Sequence, residues 1–171
     1  GYGIISGFTN DGNKIPQQTI PQYYDKLGFS YNKFADSITV SETEWDFERY
    51  KPDIVVINLG TNDMSYATTD ERKAEFEDGY LDFLKKVRSL NPDSYIFQTY
   101  GVMGTSLEEN IENVRRKYMS ETGDERITFI PLTMQDEDAD GIVADWHPSP
   151  KTHSLVSQKV TAAIKETLGY K

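Results

Sequence analysis

From residue 53 onward, apolar and polar positions fall into alternating strand-like and helix-like stretches. Ile54-Val55-Val56-Ile57-Asn58-Leu59 is rich in Val and Ile and is closed by Gly60. It reads as a strand buried on both faces, as in the middle of a parallel sheet. A helix is expected over residues 69–90, with Phe76, Tyr80, Phe83, Leu84 and Val87 on one face, Thr69 or Asp70 as its cap and Asn91-Pro92 as its stop. Residues 94–100 read as a second strand and residues 101–105 as its loop. A second helix over residues 106–118 turns Leu107, Ile111, Val114 and Tyr118 inward, and residues 126–132 give a third strand. An acidic loop over residues 135–140 leads to a last helix, which Ser149 caps and Pro150 begins. Its apolar series is Leu155, Val156, Val160, Ala163, Ile164 and Leu168. Alternation of this kind implies parallel strands joined by right-handed crossovers.

The first fifty residues lack any sustained period. Gly1, Gly3, Gly7, Gly12, Pro16 and Pro21 interrupt them, and only short helical turns are expected, around residues 20–27 and 44–50. A loop of that length is unusual inside one domain and suggests that another segment normally precedes it.

The 171 residues are the size of one domain, and 37% hydrophobic content suffices for a core. The formal charge is −10, with no stripe of lysines, so nucleic acid and anionic membranes are poor partners. A neutral or carbohydrate substrate fits better. The absence of cysteine excludes disulfides, thiolate metal sites and a Cys nucleophile. No apolar run reaches membrane-spanning length. The acids Asp136, Glu137, Asp138 and Asp140 lack Ca-loop spacing and read as a solvated loop.

Two stretches carry chemistry. The carboxyl end of a buried parallel strand is where open α/β sheets bind ligands. There Gly60 permits a sharp turn that can aim the Asn62 amide into the crevice, a geometry suited to stabilising an oxyanion. An ordinary Asx-rich turn would use the same residues. The other stretch is Asp145-Trp146-His147-Pro148. In extended backbone, residues two apart project to one side, so Asp145 could orient the His147 ring. His147 would sit on the loop before the last helix, where a general base is exposed yet held. A surface His beside a solvated acid is the plainer alternative. Trp146, Trp45, Tyr23 and Tyr24 are candidate sugar-stacking platforms, Trp146 above all.

Gly60-Thr61-Asn62-Asp63 with Asp145-Trp146-His147-Pro148 resembles blocks III and V of the SGNH, or GDSL-like, hydrolases. Gly1-Tyr2-Gly3, Trp45-Asp46-Phe47 before residues 52–63, and the acid ahead of His-Pro resemble carbohydrate esterase family 2 across essentially the whole chain. The resemblance implies a three-layer α/β/α, flavodoxin-like fold with a parallel sheet. It implies an acetylesterase acting on plant polysaccharide or acetylated sugars, secreted or on the cell surface in bacterial fashion, with no metal or organic cofactor. Asn62 and the Gly1 amide would be oxyanion donors, His147 the base and Asp145 its orienting acid. The chain has one residue between acid and His where SGNH members more often have two, and a backbone carbonyl can take the acid's place in family 2. His153 matches a second His after the motif and reads as structural.

The family's nucleophile lies in a Gly-Asp-Ser block ahead of the Gly-x-Gly loop, on a first βαβ unit that this sequence does not include. Residues 1–171 are therefore expected to be the C-terminal major part of an SGNH esterase domain, partnered by an N-terminal fragment that carries the serine. Ala35-Asp36-Ser37-Ile38-Thr39 mimics the block, but no buried strand precedes Ser37 and no amphipathic helix follows it. Another SGNH specificity, such as lysophospholipase or thioesterase, and an inactive carbohydrate-binding domain remain open at this point.

Overall fold

The computed structural model describes residues 1–29, 33–34 and 38–170. A short antiparallel pair, β1 (Lys33–Phe34) and β2 (Ile38–Thr39), comes first. There follow β3 (Ile54–Asn58), α1 (Asp70–Leu90), β4 (Tyr95–Tyr100), α2 (Glu108–Thr122), β5 (Ile127–Pro131), α3 (Glu137–Asp140) and α4 (Pro150–Leu168). The main sheet is parallel and ordered β3-β4-β5, with Ile54 beside Tyr95 and Ile96 beside Ile127.

Strand period sorts the side chains into two cores. Ile96 and Tyr100 of β4 join Phe76, Tyr80, Leu84 and Val87 of α1 and Ile111, Val114 and Tyr118 of α2. On the other face, Tyr95 and Phe97 join Ile130, Leu132 and the apolar stripe of α4. The result is the parallel sheet that the strand–helix alternation predicts, in the three-layer α/β arrangement that the resemblance implies. Thr69 caps α1 by accepting from the Arg72 N–H, and Ser149 caps α4 by accepting from that of Thr152. Helix α2 starts two residues later than its apolar spacing suggests and runs on to Thr122, where Gly123 ends it in a left-handed conformation.

The expectation that β3 is buried on both faces is corrected. The central strand is β4, while β3 pairs only with β4 among the described residues. Ile57 is buried, but Val56 is 47% exposed and Asn58 is also exposed. β3 is thus an edge of the described sheet, where its apolar side chains are covered less fully than in a sheet interior. The α4 stripe is affected too: Val156, Val160, Ala163, Ile164 and Leu168 are only half-buried and Leu155 is exposed.

Within the first fifty residues, the described ones are tied to the rest of the fold at several points. Short 3-10 turns form at Ile20–Gln22 and Phe47–Arg49, inside the two expected stretches, whereas the β1–β2 pair was not foreshadowed by any period. Gly3 and Thr19 form a bridge, Tyr24 stands edge-on to Phe83 at 5.3 Å, and the Asn91 amide donates to the Tyr24 hydroxyl at 2.8 Å. The acidic loop contains α3, capped by Asp136. Ser37 lies outside the described residues.

Candidate active site

Immediately after β3, Gly60 takes a φ of +121°, a value open mainly to glycine, and the chain turns into a 3-10 segment, Asp63–Ser65, with Asn62 at its head. Asn62 donates one Nδ2 hydrogen to the Tyr2 carbonyl at 2.8 Å. That bond fixes which way the amide faces, and the second N–H has no partner among the described residues. Gly1 lies directly against this side chain: a Cβ at position 1 would run first into Asn62 Oδ1 and then into its Cγ and Nδ2. The Gly1 backbone and the Asn62 side chain are thus held next to each other.

Asp63, which the sequence reading quoted without a role, is fully buried. Its carboxylate accepts from the backbone N–H groups of Ile4 (2.8 Å), Ile5 (2.8 Å) and Ser6 (3.1 Å). Burial pushes this carboxyl above its ordinary value, and the three N–H groups oppose that rise by stabilising the ionised form.

His147 stands on the loop before α4, held by several bonds. The Val143 N–H donates to the His147 carbonyl at 2.9 Å, the Gln135 amide to the Trp146 carbonyl at 2.8 Å, and the Ser149 hydroxyl to the Asp140 carbonyl at 2.7 Å. The geometry expected of Asp145 is corrected. Asp145 is not extended but left-handed (φ 56°, ψ 35°), and Trp146 also has a positive φ of 56°. The ring partner found is the Ala144 carbonyl, 3.1 Å from His147 Nδ1. With Nδ1–H donating to that carbonyl, Nε2 is the unprotonated nitrogen that can accept a proton. Two consecutive non-glycine residues with positive φ mark a loop whose shape is imposed by its surroundings, a feature that clusters at functional sites.

These elements enclose a cleft of about 570 Å³, lined among others by Gly1, Asn62, Asp145, Trp146 and His147. These five residues, all singled out from sequence, therefore share one cavity, which Tyr23 and Tyr24 do not line. Trp45 does not line it; its N–H is bonded to the Asp25 carbonyl at 2.9 Å, on the segment near β2. Phe8, Asn10, Met64 and Met103 line the cleft as well and were not anticipated. Nothing in their local sequence separates them from ordinary loop residues. His153 lines a smaller adjoining hollow with Asn58 and Thr61 at the end of β3. Among the described residues no helix is long and apolar enough to cross a membrane, and no cluster of His, Cys, Asp and Glu side chains is arranged to hold a metal ion.

Because the ring's hydrogen-bond partner is the Ala144 carbonyl and not the Asp145 carboxylate, Asp145→Asn is expected to keep kcat within about tenfold of the parent, far less than the loss of a base brings. A loss equal to that of removing His147 would restore Asp145 as the orienting acid.

The GDSL-like lipase/acylhydrolase family model matches residues 7–155. The cellulase/esterase CelE of Acetivibrio thermocellus is 36% identical over 148 residues, covering 81% of this chain and 17% of that protein. An acetyl xylan esterase from the rumen bacterium Butyrivibrio proteoclasticus superposes with a TM-score of 0.86 at 25% identity, over 99% of this chain and 50% of the other. A family two carbohydrate esterase from Clostridium thermocellum, in complex with cellohexaose, superposes with a TM-score of 0.78 at 31% identity, over 100% of this chain and 49% of the other. The chain thus spans half or less of the length of each of these relatives. On the family match over most of its length, this chain belongs to the GDSL-like lipase/acylhydrolase family.

Proposed function

We propose that residues 1–171 form the major part of a serine esterase domain that removes acetyl groups from plant polysaccharides or smaller acetylated sugars. The observation that carries this reading is the meeting of Gly1, Asn62 and His147 in one cleft just past the carboxyl end of β3. The serine comes from a preceding segment whose strand lies along the open edge of β3. Its hydroxyl attacks the acetyl carbonyl and gives its proton to Nε2 of His147. Asn62 and the Gly1 amide hold the oxyanion, and the Ala144 carbonyl steadies the imidazolium through Nδ1–H. The sugar hydroxyl leaves with the proton from His147. Water, deprotonated by the same ring, then cleaves the acyl-serine and frees acetate.

A sugar ester is favoured over a long acyl chain by the mixed lining of the cleft. Asn10, Thr61, Asn62 and Asp145 stand among Phe8, Met64, Met103 and Trp146, and Trp146, 66% exposed, offers an open aromatic face to a sugar ring. The esterases of polysaccharide named above support the same substrate class, and with it a site of action outside the cell or at its surface.

The test is to incubate the complete protein with acetylated xylan and with short- and long-chain aryl esters. It is also to be labelled with a fluorophosphonate and the modified peptide mapped. Acetate release, preference for the short ester and a labelled serine upstream of Gly1 are expected. Preference for the long chain would point to a lipase or thioesterase, a labelled Ser37 would relocate the nucleophile, and sugar binding without hydrolysis or labelling would make this a binding domain.

A further inference from the structure

Consecutive side chains, Asn62 and Asp63, seize opposite kinds of backbone group on one short loop. Asn62 donates to the Tyr2 carbonyl, while Asp63 accepts from the N–H groups of Ile4, Ile5 and Ser6. Three successive N–H groups converging on one point make a nest of the kind that ordinarily receives an anion from outside. Here the occupant is the protein's own carboxylate, with no exposed surface at all.

The main chain that carries this carboxylate is itself anchored, because the Asp63 backbone carbonyl accepts from the N–H groups of Tyr66 (2.9 Å) and Ala67 (2.7 Å). The loop is packed against it without slack. A Cβ on Gly3 would run into the Asp63 carboxylate and the Ser6 carbonyl, just as one on Gly1 would run into Asn62. The Gly-x-Gly spacing thus has a physical cause: its first glycine faces Asn62 and its second faces Asp63. Ile4 and Ile5 continue the loop into the α1 core, which closes the other side.

Burying a carboxylate is costly, and a loop of five residues could be ordered by apolar contacts alone. What the carboxylate adds is position. Resting on the esterase reading given above, we propose that Asp63 is a positioning residue for the oxyanion hole. By gripping residues 4–6 it fixes the loop that carries the Gly1 amide beside Asn62. Donors preset in this way stabilise the transition state without reorganising, and a displacement of about 1 Å is enough to cost about a hundredfold in rate.

The experiment uses the complete protein and Asp63→Asn, which keeps one acceptor but turns an NH2 group toward the loop N–H groups. kcat per active site, counted by fluorophosphonate titration so that misfolded molecules do not contribute, should fall about a hundredfold with KM within about twofold. In ¹⁵N spectra the Ile4, Ile5 and Ser6 amides should be protected from hydrogen exchange in the parent and lose protection in the variant. Parental kcat per titrated site overturns the proposal, whether or not the amides lose protection. If Asp63→Asn does not fold, Gly3→Ala presses a methyl group on the same carboxylate and is judged by the same two readouts. Amides of residues 4–6 that exchange in the parent as fast as open loops overturn the proposal without any variant. A parent that hydrolyses no ester strikes the esterase reading and this proposal with it, and protected amides would show that the grip on the loop is not what failed.

Discussion

Replacing His147 by Ala should abolish hydrolysis of an aryl acetate by the complete protein, lowering kcat by roughly four orders of magnitude or more. The serine hydroxyl is a poor nucleophile unless a base takes its proton as it attacks. His153, the chain's other histidine, lines a neighbouring hollow rather than the cleft. The carboxylate nearest in sequence, Asp145, lines the cleft but makes no hydrogen bond to the ring among the described residues, and a carboxylate is a far weaker base than an imidazole, so neither side chain replaces His147. Folding should be spared, because His147 is exposed and its loop is closed by bonds to the Val143, Gln135 and Ser149 groups rather than by the ring. Activity within tenfold of the parent would remove His147 from the mechanism.

Asn62→Ala should lower kcat by about a hundredfold or more, as loss of one oxyanion donor does, with little change in KM. The uncommitted Nδ2 hydrogen of Asn62 meets its partner only when the carbonyl oxygen becomes an oxyanion, so ground-state binding has little to lose. The substitution also removes the side-chain donor to the part-buried Tyr2 carbonyl. A variant with parental kcat and raised KM would assign Asn62 to substrate binding instead.

The elements from residue 69 onward were legible because their signals are local: a 3.6-residue apolar period, a threonine or serine cap and a terminating glycine or Asn-Pro pair act within a few residues. The status of β3 was not. Ile54 to Leu59 spells a strand of the sheet interior, and only the neighbours decide whether an interior exists around it; in the structure Val56 is left half in water. The site shows the same division. Gly60, Asn62 and His147 were readable because each residue type has few other uses at such turns. Asp145 was misjudged because a period-2 argument assumes extended backbone, and two positive φ values in succession cannot be foreseen from Asp-Trp. Asp63 carries the most bonds at the site and was passed over. Its partners are backbone N–H groups 57 to 59 positions away, which have no sequence signature.

The bare flank of β3 gives this chain an unusual relation between assembly and turnover. If the serine rides on the strand that lies along that flank, then the same contact that finishes the sheet also switches on the chemistry, and the two cannot be separated. Mixed as separate polypeptides, segment and chain would show a rate that rises hyperbolically with segment concentration, and its midpoint would be the dissociation constant for strand addition. Removing the rest of Val56 from water contributes about 1 kcal/mol to that affinity, so Val56→Ala would shift the midpoint while leaving the plateau alone. The active site would then serve as its own reporter of sheet completion.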